Sequence, residues 1–65
     1  MNTEILKGKW NELKGKVKER WGDLTNDDLD QAEGNRDQLI GRIQQRYGVA
    51  RDQAERELDD FLHKL

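Results

Sequence analysis

The sequence predicts an all-α fold, a small four-helix bundle built from two similar helix–turn–helix hairpins. Three observations predict it. Apolar residues recur at spacings of three and four, proline is absent, and one ten-residue pattern occurs twice. Spacings of three and four place side chains on one face of a helix, and no stretch shows the alternation of a half-buried strand. With 65 residues the chain forms a single domain spanning residues 1–65.

The first helix is read from Leu6, Trp10, Leu13, Val17 and Trp21, a continuous apolar stripe. Gly22 follows at the place where a left-handed residue ends a helix, a conformation that penalises side chains. Thr25 and Asp28 form a capping box with the shorter acid, and Asp27 and Asp28 favour the positive end of the helix dipole. A short second helix then runs through Leu29 and Ala32 to Gly34. The third carries Leu39, Ile40, Ile43 and Tyr47, opened by Asn35 as cap and closed by Gly48. The fourth carries Ala54, Leu58, Phe61, Leu62 and Leu65; Ala50 stands where a cap belongs and has no side-chain acceptor.

Leu13-Lys14-Gly15-Lys16-Val17-Lys18-Glu19-Arg20-Trp21-Gly22 aligns with Leu39-Ile40-Gly41-Arg42-Ile43-Gln44-Gln45-Arg46-Tyr47-Gly48, and Gly8 with Gly34. The shared pattern, L-x-G-[KR]-[VI]-x-x-R-[WY]-G, implies two related hairpins packed face to face about an approximate two-fold axis. It pairs Trp21 with Tyr47 as core residues. It also raises a question about Gly15 and Gly41, since a glycine inside a helix costs about 1 kcal/mol relative to alanine. The expectation is that the first and third helices approach closely through them; the alternative is that both are weak points on exposed faces.

Composition limits what the chain does. Charged residues make up 40% and hydrophobic residues 32%, and the mean hydropathy is −1.21, close to the regime in which a chain buries too little apolar surface to fold. A domain of this length buries only about 60% of its unfolded surface, so the core is thin. The absence of cysteine excludes a disulfide framework and a Cys-based zinc site. No apolar run reaches the length of a membrane span, and the N-terminus lacks the layout of a signal peptide; a cytoplasmic location and a monomer are expected. The formal charge of −2 is unevenly spread: residues 1–22 carry +3, residues 23–38 carry −5 and the remainder is neutral. Such blocks point to internal pairing before an external polyanion.

The motifs Gly8-Lys9-Trp10, Leu13-Lys14-Gly15-Lys16-Val17-Lys18, Trp21-Gly22-Asp23-Leu24-Thr25, Gly34-Asn35-Arg36-Asp37-Gln38-Leu39-Ile40-Gly41, Ile43-Gln44-Gln45-Arg46-Tyr47-Gly48 and Asp52-Gln53-Ala54-Glu55 resemble the CsbD-like family of small bacterial stress-response proteins. The resemblance covers the chain from about Lys7 to Asp60. It implies a cytoplasmic protein of general or osmotic stress and a small bundle of four helices, in a family with no established enzymatic activity, ligand or partner. It supplies no functional residues to carry over. The ending Phe61-Leu62-His63-Lys64-Leu65 departs from the more varied and often longer tails of the family.

No catalytic, cofactor-binding or metal-ligating residue is expected, and no cofactor. Catalysis needs a positioned nucleophile or titratable pair in a dry pocket. The single histidine, His63, belongs to a helix end, and the only hydroxyls are Thr3, Thr25 and Tyr47. Counted as a calcium loop from Asp23, the acidic stretch places Asp28 where glycine is needed and Gly34 where the bidentate glutamate is needed. Lys7-Gly8-Lys9 and Lys14-Gly15-Lys16 lie within a helical stripe, not in a phosphate-cradling loop.

Two functional readings follow. The favoured one is a non-enzymatic stress-response protein acting as a protective or protein-interaction module, with an unidentified protein partner; a variant folds only as water activity falls. The alternative is a nucleic-acid-associated helical module using the basic face of the first helix: Lys7, Lys9, Lys14, Lys16, Lys18 and Arg20, with Trp10 and Trp21. The isoelectric point near 5.3, the interrupting Glu12 and Glu19, and the placement of both tryptophans on the apolar stripe oppose it. A duplicated helical hairpin resembles DNA-binding helix–hairpin–helix modules, but Asp23 stands where their turn meets phosphate.

Overall fold

The reason for a helix at each position is the same throughout: an apolar stripe of helical period that gains stability by burial against its neighbours. In the computed structural model, which describes the backbone of residues 3–65 and side chains from Leu6 onward, these stripes become five helices: α1 Thr3–Gly8, α2 Trp10–Arg20, α3 Asn26–Ala32, α4 Arg36–Tyr47 and α5 Arg51–His63. No strand occurs among the described residues.

The expected first helix is thus two. It breaks at Lys9, whose backbone leaves the helical range at φ −114° and ψ 21°. The break turns α1 toward the α3–α4 connection, where the backbones nearly touch. A Cβ on Gly34 would lie 2.9 Å from Lys7 Cα and 3.2 Å from the Leu6 carbonyl oxygen. Gly34 also has φ +78°, so glycine is required there by both space and conformation. Glu33 just before it, at φ 50°, is the left-handed residue that closes α3.

Other helix ends follow local chemistry. Thr25 Oγ1 accepts from the Asp28 N–H and Asp28 Oδ2 accepts from the Thr25 N–H, each at 3.0 Å. Asn35 caps α4 by accepting from the Gln38 N–H at 3.1 Å, Gly48 ends α4 at φ +66°, and Ala50 opens α5 with no side-chain cap. Gly22 departs from expectation. It has no positive φ, because α2 already ends at Trp21, whose N–H bonds the Val17 carbonyl. Lys18 then holds the connection by donating to the carbonyls of Gly22 and Leu24.

α4 is the central element, with α3 and α5 both packed against it. Leu39, Ile40 and Ile43 of α4 form one buried cluster with Leu29 and Ala32 of α3, Ala54 and Leu58 of α5, Leu13 and Val17 of α2, and Leu6 of α1; Trp21 and Leu24, in the α2–α3 connection, complete it. The Trp21 ring meets Phe61 edge to face at 5.2 Å, tying the end of α2 to α5. Trp10, Val49, Phe61 and Leu62 lie partly buried at the margin.

Three expectations about packing need correction. Tyr47 is exposed: a buried phenol needs an internal partner for its hydroxyl, and here that oxygen instead accepts from the Asp23 N–H at 3.0 Å at the surface. Leu65 lies beyond the end of α5 and is half exposed. Finally, helices do not meet through Gly15 and Gly41. Both are exposed, and a Cβ on either would find no neighbour within 4 Å.

Candidate functional site

The most highly organised polar group in the molecule is Asp28, the buried charged side chain among the described residues. The capping box fixes it at the start of α3. From α4, Arg46 reaches it with a two-pronged contact, Nε to Oδ2 at 2.8 Å and Nη2 to Oδ1 at 3.2 Å. Arg42, one turn earlier, donates to Oδ1 at 3.3 Å and to Gln31 Oε1 at 2.6 Å. The spacing of four brings both guanidiniums to one face of α4, so two helices are clamped by one carboxylate.

This environment sets the charge of Asp28. Hydrogen bonds from Arg46 and from the Thr25 N–H outweigh the cost of burial and pull its pKa down to about 2. Arg46 is correspondingly held in its charged form by Asp28. A carboxylate so engaged is neither a proton acceptor near neutral pH nor an open metal ligand. Asp28 binds α3 to α4.

The basic residues of the N-terminal half are similarly occupied. Lys14 pairs with Asp30, Lys18 holds two carbonyls, and Arg20 bonds Glu57 at 3.1 Å while its guanidinium lies 4.9 Å from the Trp21 ring centre. Lys14–Asp30 realises the expected pairing of the basic helix with the acidic segment. Lys7, Lys9 and Lys16 form no ion pair among the described residues. In the C-terminal half Arg36 bonds both oxygens of Asp59 at 3.0 and 3.2 Å, and Arg51 bridges Asp37 and Glu55, each at 2.9 Å. Those bonds, Glu55 first, raise the Arg51 pKa. His63 Nδ1 lies 3.0 Å from the Asp59 carbonyl, at the helix end where the sequence places it.

Open depressions lie on the surface of the described residues. One, about 410 Å³, follows the break between α1 and α2, with Lys7, Lys9, Trp10, Glu12 and Glu33 on its walls. Another, about 400 Å³, lies over Gly41 on the outer face of α4, beside Asp37, Gln38, Arg42 and Gln45. Both are open to solvent and mixed in charge. Among the described residues no group of three His, Asp or Glu side chains could hold a metal ion, and no helix is long and apolar enough to cross a membrane.

Sequence reasoning gave Asp28 only its capping role. The signal for the rest was present in the repeat, whose [KR] and R positions become Arg42 and Arg46 in the second copy, but nothing local tied them to α3.

The same repeat lies within the part of the chain matched by a known family model. CsbD-like matches residues 4–56. The chain belongs to the CsbD-like family. It is similar over its full length to UPF0337 protein PA4738 of Pseudomonas aeruginosa, with 52% identity across 65 residues and all of that protein covered. UPF0337 protein YjbJ of Escherichia coli K12 is 56% identical over 61 residues, covering 94% of this chain and 88% of that one. UPF0337 protein XAC4007 of Xanthomonas axonopodis pv. citri is 52% identical over 65 residues, covering all of this chain and 94% of that protein. The CsbD-like resemblance seen in the glycines, tryptophans and Arg-Tyr-Gly is therefore membership.

Proposed function

We propose that this CsbD-like chain is a non-enzymatic cytoplasmic stress-response protein that acts as a monomeric protective or protein-interaction module. The observation that carries this reading is the internal use of its reactive groups. The buried carboxylate is consumed by a cap and two guanidiniums, and the histidine lies against a helix end. What remains outside is a dense, mixed-charge surface over a thin core, suited to shielding and weak association. The match to the CsbD-like family supports the stress context.

The doubled decapeptide belongs to the same reading, as two copies of one helix–turn–helix unit. In support, Leu13 and Leu39, and Val17 and Ile43, are buried as pairs, while Gly15 and Gly41 both face outward. The nucleic-acid alternative retains little: Lys14, Lys18 and Arg20 are spent within the chain.

Protection is tested by heating citrate synthase with increasing amounts of the protein, against equal masses of ribonuclease A. Aggregation falling as the protein approaches stoichiometric amounts is the expected result. Turbidity indistinguishable from the ribonuclease control at every ratio and temperature would sink the proposal.

A further inference from the structure

We draw no further inference here: the strongest candidate, the open cleft at the break between α1 and α2, where Lys7 and Lys9 flank the uncapped start of α2, rests on a helix N-terminus with no second feature that points to a ligand, and Glu12 and Glu33 on its walls offset both lysines.

Discussion

The two copies of the repeated decapeptide share their middle and differ at their ends. Leu13 and Leu39 are buried alike, as are Val17 and Ile43, and the glycine between each pair faces solvent. Yet Trp21 is buried and Tyr47 is exposed; Arg20 reaches Glu57 of α5, whereas Arg46 clamps Asp28 of α3; Gly48 is left-handed and Gly22 is not. Helical period fixes the middle positions, because a residue on the stripe is buried against any neighbour. The ends are set by whatever element comes next. The first copy runs into a connection that folds Trp21 and Leu24 inward, and the second into an open turn.

The sharpest way to break this comparison is at the aromatic pair. Trp21→Ala removes a wholly buried ring and its contact with Phe61, and should cost about 3–5 kcal/mol, enough to unfold a domain of this size at moderate temperature. Tyr47→Ala removes a surface ring and one hydrogen bond, and should cost about 1 kcal/mol. Urea denaturation of both variants decides it; equal losses would mean that the two copies end alike.

The arginine pair is distinguished by pH. Asp28 has its folded pKa depressed from 3.8 to about 2, so its contribution is fully present above the unfolded value and is lost as pH falls from about 4 through 2. The shift corresponds to about 2 kcal/mol at neutral pH. Asp28→Asn should therefore lose about 2 kcal/mol at pH 7, and the gap between it and the native chain should close across that acid window. Chemical denaturation of the two chains at pH 7, 4 and 2.5 measures the gap, and a constant difference would contradict the clamp. Arg20→Gln, at the exposed counterpart, should change stability by about 0.5 kcal/mol or less.

The smallest contrast is between the closing glycines. Gly48→Ala forces a side chain into a left-handed turn and should cost about 1 kcal/mol. Gly22→Ala meets neither a positive φ nor a neighbour and should leave Tm within about 2 °C of native. Thermal melts of the pair would expose an error if Gly22 proved the more sensitive.

Much of the fold was legible because its determinants are local. The Thr25–Asp28 box, the Asn35 cap, the missing cap at Ala50 and the left-handed Gly48 each depend on a few adjacent residues, and each occurs where the sequence places it. The break at Lys9 was not legible, since the stripe from Leu6 to Trp10 is continuous in sequence. The break brings α1 against Gly34, a residue in another part of the chain. Tyr47 was misplaced for a related reason: the pattern equates it with Trp21, but the phenol hydroxyl finds its partner at Asp23, outside its own helix.

By itself, then, the sequence determined the helical class, the apolar stripes, most of the caps and the family, all encoded at separations of a few residues. Only the tertiary structure decided that the first helix bends, that Asp28 joins α3 to α4, and that Gly15 and Gly41 face open space. Those outcomes depend on which distant groups share a location, and a one-dimensional pattern of period 3.6 says which face is buried without saying what lies opposite it.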